Sequence, residues 1–588
     1  MKFGVLALDY DGTIARDGAL DPEVRAAIAD VRAKGIAVVI VTGRILSELK
    51  QVTGGLEFVD AVVAENGAVL SFPQGYSRLI AAPCQPQFVE ELRRRGLEFK
   101  VGQCVVELDA NLAAQALSVI RDLELPLVEL FNRGRMMILP PGINKSIGLR
   151  EALTILRRSV HNAVAIGDAE NDHDLLSVCE IGVAAGWGSP ALQRAADIVL
   201  AGSGPAAVAP FIRNMANEIR LPPDSIGQHR LLLGTEGNGH LLALAVRGRN
   251  LLVVGDPRSG KSWVTGLACE QLILQGYSVC VIDPEGDYRT LETLPGVVVF
   301  GGEDPPPDLP DLARVLRHPD MSAVIDLSHV AHAEKIDYVR SLLAMLAATR
   351  RATGLPHRIV LDEAHYFLHE PNFRELLDLN LGAYTLVTYR MSDLHPELRA
   401  AVEMVIAKQT VEPVEVRSLL ERPGALGSST DGTARLASLQ INEAMLLPGS
   451  EESHGTLLKF DLSPRLTSHV RHKAKYLDVQ LLGEQGFVFT ENGATVGSPA
   501  RSLKEFIEML KNVPAHISEE HARRGDYSRW FAGVFRDHVF ASEVRKMEQR
   551  FRLGHAPNPS HVLAKMVQER YELSDRPFAV PTALRAGA

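Results

Sequence analysis

Two polar motifs in this chain each follow an apolar run long enough for one buried strand. The first is Asp9-Tyr10-Asp11-Gly12-Thr13 after residues 5–8, and the second is residues 255–262 after residues 251–254. A strand, a polar loop and a helical pattern in that order are typical of parallel α/β sheets, whose loops meet at the carboxyl ends of the strands. The sequence therefore predicts two α/β sheets, each with a polar site at one edge.

The length of 588 residues is too great for one core. At about 100–200 residues per domain, three or four domains are expected. We predict an α/β domain at residues 1–215, a second α/β domain at 225–470 and a small, mostly helical C-terminal domain at 471–588. The linker between the first two contains Pro222-Pro223.

Composition limits the cellular setting and the partners. The five cysteines are scattered without Cys-x-x-Cys spacing, which favours reduced thiols and a cytoplasmic location. No apolar run approaches the roughly 18 residues of a membrane span, so no membrane association is predicted. The net charge of −10 gives no global attraction to nucleic acid.

Residues 1–215 contain further polar motifs that follow strand-length runs or begin a helix. They are Thr42-Gly43-Arg44, Lys145, Gly167-Asp168 and Asn171-Asp172. Any one acidic residue at a strand end is equally well explained as a solvated loop residue. The ordered set is a stronger signal, because parallel strands bring all these loops to one edge of the sheet.

The residue types in this set suit chemistry on a phosphate. Asp9 is the candidate nucleophile, and Asp11 the candidate general acid and base. Thr42, Gly43, Lys145 and Asn171 are candidates for binding the phosphoryl oxygens. An all-oxygen site suits Mg²⁺, and its candidate ligands are the four carboxylates of Asp9, Asp11, Asp168 and Asp172.

These motifs resemble the Cof-type branch of the haloacid dehalogenase (HAD) superfamily, and Glu65-Asn66-Gly67-Ala68 matches a segment typical of that branch. The resemblance implies a Rossmann-like parallel sheet and a small mobile cap at about residues 71–139. It also implies Mg²⁺-dependent hydrolysis of a phosphomonoester through an aspartyl-phosphate. The short cap resembles those of enzymes acting on phosphoglycolate or sugar phosphates, and the substrate is predicted to be a small molecule of that kind.

Residues 255–262 match a Walker A loop, and an apolar strand ending in Asp362-Glu363 supports that interpretation. The candidate ATP-binding residues are Gly255, Arg258, Ser259, Gly260, Lys261, Ser262, Asp362 and Tyr389. Ser262 and Asp362 are candidates for holding Mg²⁺, and Glu363 for polarising the attacking water.

This region resembles HerA/FtsK-type P-loop ATPases through Asp283-Pro284-Glu285-Gly286 and a later Ser-Asp-Leu turn. The resemblance implies a RecA-like α/β domain that assembles as a homo-oligomer, by analogy a hexamer. Tyr389 stands where that family often has a glutamine that senses the γ-phosphate. Arg350 and Arg351 are candidates for completing a neighbouring subunit's site, although a solvated helix end is the better explanation for each of them singly.

Together these features predict a bifunctional protein that is both a phosphatase and an ATPase. One alternative is a DNA-translocating or defence-type motor with the first domain as its effector. Another is a first domain that senses a phosphorylated metabolite without turnover. DNA binding rests on the family analogy alone, because no long basic tract is present.

Overall fold

The computed structural model describes residues 2–132, 134–215, 229–245, 248–369, 373–421, 430–449, 453, 455–467, 486–491, 493–534, 538–555 and 558–570. The linker is predicted near residues 214–228, and its residues 216–228, like the predicted boundary at 470–471, lie outside the described residues. The three-domain division therefore stays a prediction.

The strands are numbered here in chain order over the described residues. They are β1 Val5–Leu8, β2 Ala15–Arg16, β3 Ala19–Leu20, β4 Ala37–Val41, β5 Ala61–Ala64, β6 Val69–Ser71, β7 Ser77–Leu79, β8 Phe99–Val101, β9 Val106–Asp109, β10 Val128–Asn132, β11 Arg135–Leu139, β12 Ala163–Gly167, β13 Ile181–Ala185, β14 Ile198–Leu200, β15 Arg230–Glu236, β16 Leu241–Ala245, β17 Leu251–Val254, β18 Val279–Asp283, β19 Val297–Gly301, β20 Ser322–Asp326, β21 Arg358–Leu361, β22 Tyr384–Thr388, β23 Met404–Ala407, β24 Glu443–Leu446, β25 Leu458–Leu462, β26 Thr490–Glu491 and β27 Ala494–Thr495.

The α-helices are numbered in the same way. They are α1 Pro22–Ala33, α2 Leu46–Thr53, α3 Pro86–Arg94, α4 Ala113–Asp122, α5 Lys145–Leu156, α6 His173–Val178, α7 Pro190–Ala195, α8 Val208–Met215, α9 Lys261–Leu274, α10 Leu309–Leu316, α11 His332–Thr353, α12 Phe373–Leu376, α13 Pro396–Ala400, α14 Pro413–Leu420, α15 Thr430–Ala437, α16 Leu503–Asn512, α17 Ala515–Arg524, α18 Asp526–Gly533, α19 His538–Arg552 and α20 Pro559–Arg570.

The N-terminal region is built on one eight-stranded sheet in the order β14-β13-β12-β1-β4-β5-β6-β7. The six strands from β14 to β5 are parallel, and β6 and β7 add an antiparallel edge. Every residue of β1, β12 and β13 is buried, because cores lie against both faces of the sheet. This is the α/β fold with a Rossmann-like parallel sheet that the sequence predicts.

A separate antiparallel sheet, β10-β11-β9-β8, interrupts this region between β7 and α5. Its core includes Phe88 and Leu92 of α3, Val119 of α4 and Met136 of β11. This segment, from α3 to β11, is called the cap below. The sequence places the start of the cap at about residue 71, but β6 and β7 pair within the main sheet and the cap elements begin at Pro86.

A second large sheet has eleven strands in the order β16-β15-β25-β24-β23-β17-β22-β21-β18-β20-β19. The central strands β23, β17, β22, β21 and β18 are parallel to one another. On one side of them, β24, β25, β15 and β16 continue the sheet as antiparallel strands. The loops after β17, β22 and β21 therefore meet at the same edge.

The chain forms two compact units. One contains Met1–Ile282, Leu291–Ile325 and Ile336–Ser468, and the other contains Asp283–Thr290, Asp326–Lys335 and His469–Ala588. In the second unit, α16 to α20 enclose an aromatic core that includes Phe487, Phe506, Tyr527 and Trp530. The described residues from 503 onwards are mostly helical. All five cysteines are free thiols, and no helix in the described part of the chain has the length and apolar character that crossing a membrane requires.

Candidate active site

Four charged side chains converge at the carboxyl edge of the first sheet. The ammonium group of Lys145 lies 2.5 Å from Asp9 Oδ1 and 2.5 Å from Asp172 Oδ1. The hydroxyl of Thr13 lies 2.9 Å from Asp168 Oδ1 and 3.2 Å from Asp9 Oδ2. All five side chains are buried, so the sheet brings together residues from widely separated parts of the sequence.

The position of Lys145 follows from how α5 begins. The Asn144 side chain accepts a hydrogen bond from Ile147 N at 2.9 Å, which makes Asn144 the N-cap and Lys145 the first helical residue. Gly67 lets this turn approach, because a Cβ there would lie 2.0 Å from Asn144 O. Gly67 also has φ of 105°, a conformation that favours glycine.

The cluster formed by Asp9, Asp168, Asp172 and Lys145 contains more negative than positive groups. Burial raises the pKa of Asp9 well above its ordinary value, and the charge of Asp172 adds to this, while Lys145 opposes it. For Lys145, burial alone would lower the pKa, but the carboxylates of Asp172 and Asp9 outweigh it and raise the pKa. A buried excess of carboxylates is costly unless a cation compensates it.

A divalent metal fits this donor set. Oxygen atoms of Asp9, Asp168 and Asp172 lie within 4.8 Å of one another. Asp172 is itself held in place, because its Oδ2 accepts hydrogen bonds from the backbone N–H groups of Asp168 and Ala169, each at 3.0 Å. Buried carboxylate oxygens without nitrogen or sulfur donors are the ligands that Mg²⁺ prefers.

Asp11, the fourth predicted metal ligand, has a different environment. Arg44 donates two hydrogen bonds to its carboxylate, from Nε at 2.5 Å and from Nη2 at 2.6 Å. This hydrogen bonding raises the pKa of Arg44. The Asp11 side chain is 43% exposed, so it borders the open side of the site rather than the buried cluster.

The remaining predicted phosphate-binding residues lie in the loops around this cluster. Thr42 is buried, and its hydroxyl accepts a hydrogen bond from Arg44 N at 3.1 Å. A Cβ at Gly43 would lie 3.2 Å from the end of the Met137 side chain, which belongs to β11 of the cap. Asn171 lies on the turn that also carries Asp172, and its Oδ1 is buried without a hydrogen-bond partner among the described residues.

Glu65 connects the cap to the main sheet. Its carboxylate accepts hydrogen bonds from the backbone N–H groups of Gln103 at 3.0 Å and Cys104 at 2.8 Å, in the loop between β8 and β9. Glu65 and Asn66 both have positive φ, 54° and 55°. Strained backbone of this kind is concentrated at functional sites. The Glu-Asn-Gly-Ala segment therefore holds the cap loop and also leaves room for the turn before Lys145.

Sequence reasoning did not assign roles to three residues that the structure places at the site. Thr13 lies between Asp9 and Asp168, Arg44 holds Asp11, and Trp187 donates a hydrogen bond from Nε1 to Gly12 O at 2.8 Å. Thr13 and Arg44 belong to motifs that the sequence shows, so those motifs carried the signal. Trp187 lies in no motif, and only the fold reveals its contact.

At the edge of the second sheet, residues 255–260 form a loop between β17 and α9. Gly260 has φ of 97°, and Lys261 is the first residue of α9. The ammonium group of Lys261 lies 3.0 Å from Gly255 O and 3.2 Å from Asp256 O. The N–H groups at a helix start form an anion-binding surface, so the loop and the helix start together suit a phosphate. Ser259 and Ser262 are both buried in this segment.

The residues predicted to work with this loop follow the neighbouring strands. Tyr389 follows β22, and Lys261 Nζ lies 5.8 Å from the centre of its ring. Asp362 and Glu363 follow β21 and are both buried, and Glu363 has φ of 47°. His365 packs against the Tyr389 ring with centroids 4.6 Å apart, and burial lowers the pKa of His365 to about 3. Strand β22 lies between β17 and β21 in the sheet. Tyr389, which follows β22, therefore lies between the loop after β17 that leads to Lys261 and the segment after β21 that contains Glu363.

Lys408, which the sequence analysis did not identify, also borders this loop. It follows β23, and its ammonium group donates a hydrogen bond to Ile441 O at 2.8 Å. Burial lowers the pKa of Lys408 to about 8, although Glu443 opposes this. A buried lysine beside a glycine-rich loop gives no sequence pattern of its own.

Arg350 does not project towards a neighbouring molecule, contrary to the suggestion that it completes another subunit's site. Its guanidinium is buried, donates a hydrogen bond to Gly382 O at 2.8 Å and lies 4.8 Å from the centre of the Tyr384 ring. Burial lowers its pKa. The physical reason is that this face of α11 packs on the sheet. Arg351 faces outward and pairs with Asp378 at 2.9 Å.

The fold and site of the N-terminal region define an α/β domain with a buried cluster of three carboxylates and one lysine and with a separate cap. A family model described as haloacid dehalogenase-like hydrolase matches residues 6–115 and 86–212. A phosphoglycolate phosphatase of Natronomonas pharaonis is 32% identical over 210 residues, which are 33% of this chain and 89% of that protein. The chain belongs to the haloacid dehalogenase-like hydrolase family, and its N-terminal third is a phosphatase domain of that family.

Other matches cover a similar share of this chain at lower identity. Phosphoglycolate phosphatase 2 of Saccharolobus solfataricus is 27% identical over 208 residues, covering 33% of this chain and 84% of that protein. The crystal structure of a haloacid dehalogenase-like hydrolase from Bacteroides thetaiotaomicron is 17% identical and has a TM-score of 0.32, covering 36% of this chain and 100% of that one.

Proposed function

We propose that the N-terminal region hydrolyses a small phosphomonoester with Asp9 as nucleophile, and that its substrate is phosphoglycolate or a sugar phosphate. The observation that carries this proposal is the buried cluster of Asp9, Asp168, Asp172 and Lys145. The substrate class is supported by the relatives named above, which are phosphoglycolate phosphatases over this same part of the chain.

The proposed reaction has two displacements at phosphorus. A carboxylate oxygen of Asp9 attacks, the ester oxygen leaves, and Asp11 gives that oxygen a proton. Water then attacks the aspartyl-phosphate while Asp11 takes the proton, which releases phosphate and restores Asp9. Bound by Asp9, Asp168 and Asp172, Mg²⁺ supplies the positive charge that lets a carboxylate approach a phosphate dianion.

Other residues of the chain position the groups in this scheme. Lys145 and Thr42 neutralise and orient the phosphoryl oxygens, and Asp172 orients Lys145. Both oxygens of the Asp11 carboxylate accept hydrogen bonds from Arg44, so this pair must open before Asp11 can transfer a proton to the leaving oxygen. The cap lies close to Gly43 through Met137, which puts cap side chains where they select the group attached to the phosphate.

The test is phosphate release from phosphoglycolate, sugar phosphates and nucleotides, with Mg²⁺ and with EDTA. We expect Mg²⁺-dependent turnover of one class, reduced about 10⁴-fold or more in Asp9→Asn. Asp21→Asn is the matched control, because Asp21 only caps α1 and asparagine caps equally well. Turnover that survives in Asp9→Asn would refute the proposal.

We further propose that the second sheet carries a nucleotide site that binds and hydrolyses ATP. The supporting observation is the loop at residues 255–260 and the start of α9 beside Tyr389, Asp362 and Glu363. In this scheme, Gly255, Arg258, Ser259 and Gly260 contact the phosphates. Lys261 contacts the β- and γ-phosphates, Ser262 and Asp362 hold Mg²⁺, and Glu363 polarises water.

ATP hydrolysis by Lys261→Ala tests this second proposal. We expect a loss of about 10²–10³-fold, with phosphomonoester turnover unchanged. Lys459→Ala is the control, since Lys459 is half exposed and pairs with Glu443. Equal ATP hydrolysis by both variants would refute the proposal.

Assembly into a homo-oligomer such as a hexamer is part of the same proposal. DNA translocation is the alternative function for this region, and a salt-dependent stimulation of ATP hydrolysis by DNA would favour it.

A further inference from the structure

A second polar cluster lies at the opposite edge of the first sheet. His161 precedes β12, Glu180 precedes β13, and His229 precedes β15 of the second sheet. A carboxylate oxygen of Glu180 and one ring nitrogen from each histidine lie within 4.8 Å of one another. We call these three residues the junction cluster, because two of them lie just before strands of the first sheet and one lies just before a strand of the second sheet.

The junction cluster is largely buried, and neighbouring side chains hydrogen-bond to it or pack against it. His161 and Glu180 are 1% and 0% exposed, and His229 is partly buried. The Tyr277 hydroxyl donates a hydrogen bond to Glu180 Oε2 at 2.7 Å. The ring of Tyr277 also stacks on that of His161, with centroids 3.7 Å apart. A carboxylate with no exposure to water requires a positive charge nearby.

Both histidines place Nε2 against a backbone carbonyl. His161 Nε2 lies 2.8 Å from Gln275 O, and His229 Nε2 lies 3.2 Å from Cys179 O. An N–H that donates to a carbonyl fixes the tautomer, so the lone pair of each neutral ring is on Nδ1. His161 Nδ1 lies 3.0 Å from Glu180 Oε2, where a lone pair and a carboxylate oxygen would repel each other without a cation.

We propose that the junction cluster binds a zinc ion through Nδ1 of His161, the carboxylate of Glu180 and a ring nitrogen of His229. Two imidazoles and one carboxylate are a common ligand set for zinc, with a fourth position left for water. The nitrogen donors distinguish this site from the all-oxygen cluster at Asp9, which suits magnesium. Hydrogen bonds from ligand histidines to carbonyls, and from a hydroxyl to the ligand carboxylate, are the outer contacts that zinc sites use.

The position of the cluster gives the ion a structural role. Its ligands come from both sheets, and the backbone that supports them includes Gln275, just after α9. Asn162, beside His161, donates a hydrogen bond across the same junction to Gly354 O at 3.5 Å and another within the N-terminal region to Lys2 O at 3.0 Å. The ion would fasten the N-terminal region to the second sheet at the edges of both sheets that are remote from the candidate phosphate sites.

The test is the zinc content of the full chain after gel filtration in a zinc-free buffer. The buffer contains excess Mg²⁺, which fills the oxygen sites. We expect about one zinc ion per chain in the wild type and in Asp168→Asn, which disables only the Asp9 cluster. In His229→Gln and in His161→Gln, zinc should fall at least tenfold. Tyr277→Phe keeps all three ligands and should bind zinc about 10-fold to 100-fold more weakly.

Replacing zinc by Co²⁺ gives an independent readout, because four-coordinate Co²⁺ absorbs visible light much more strongly than octahedral Co²⁺ in water. We expect a spectrum that both histidine variants lose and Asp168→Asn retains. A wild-type chain that takes up no zinc and gives no such Co²⁺ spectrum would overturn the proposal, whatever the folding of the variants. The cluster would then be a set of hydrogen-bonded side chains that holds no metal ion.

Discussion

The Asp9 cluster contains three carboxylates and one ammonium group, which contacts two of them. In the loop of the second sheet, by contrast, the Lys261 ammonium group lies against two carbonyl oxygens. The first site therefore attracts a cation before it can accept a phosphate dianion. The second presents a positive charge and a helix start, which suit an anion directly. The comparison teaches that two loops at the strand ends of one chain can carry opposite charge.

The two sites also differ in how they are assembled. Asp9, Lys145 and Asp172 belong to distant parts of the sequence, and the fold must place each within 2.5 Å of its partner. The second loop is one continuous segment, residues 255–262, and its lysine contacts carbonyls only five and six residues away. The first site should consequently be more sensitive to changes elsewhere in its domain.

Lys145→Met is expected to have the largest effect, because it leaves three buried carboxylates without their ammonium group. Without Mg²⁺ the free energy of unfolding should fall by about 3–5 kcal/mol, and phosphatase kcat by about 10²–10³-fold. Urea denaturation with and without Mg²⁺ checks this, with exposed Lys50→Met as the control. If Mg²⁺ does not stabilise the variant more than the wild type, the charge argument is wrong.

Lys261→Met tests whether the positive charge at the loop after β17 binds an anion. The methionine keeps the buried aliphatic chain, so stability without ligand should change little. A nonhydrolysable ATP analogue with Mg²⁺ at a hundred times its Kd should stabilise the wild type by about 2.7 kcal/mol and the variant hardly at all. The measurement is urea denaturation with and without the analogue, and equal stabilisation of both proteins would count against a phosphate role for Lys261.

Glu65→Gln tests the attachment of the cap without changing the Asp9 cluster. Glutamine has one acceptor oxygen where the carboxylate has two, so the N–H groups of Gln103 and Cys104 cannot both be satisfied as before. We expect a loss of about 1–3 kcal/mol in stability and faster proteolysis of the cap. Glu90→Gln, on the exposed side of α3, is the matched control and should behave as wild type.

Trp187→Phe should have the smallest effect. It removes one hydrogen bond to Gly12 O and keeps most of the aromatic contact, so stability should fall by about 1 kcal/mol. Thermal and urea denaturation measure this, and kcat is expected to stay within a few-fold of wild type. A large fall in kcat would mean that the Gly12 turn depends on Trp187 for its position.

Much of the first site was predictable because its motifs are short and local. The buried run at β1 places Asp9 at a strand end, and parallel pairing of β1 with β4 and β12 brings the loops containing Thr42 and Asp168 beside it. The loop between β17 and α9 was predictable for the same reason. In both cases, a strand, a loop and a helix start are encoded by consecutive residues.

The sequence by itself therefore determined the strands, the loops that follow them and the chemical groups that those loops carry. Only the tertiary structure decided that Arg44 holds Asp11, that Glu65 binds the cap loop, that Arg350 is buried and that β6 and β7 join the main sheet. The junction cluster of His161, Glu180 and His229 was likewise visible only in the tertiary structure. Periodicity and motif spacing report contacts within a few residues, whereas these contacts join segments whose approach depends on the packing of the whole fold.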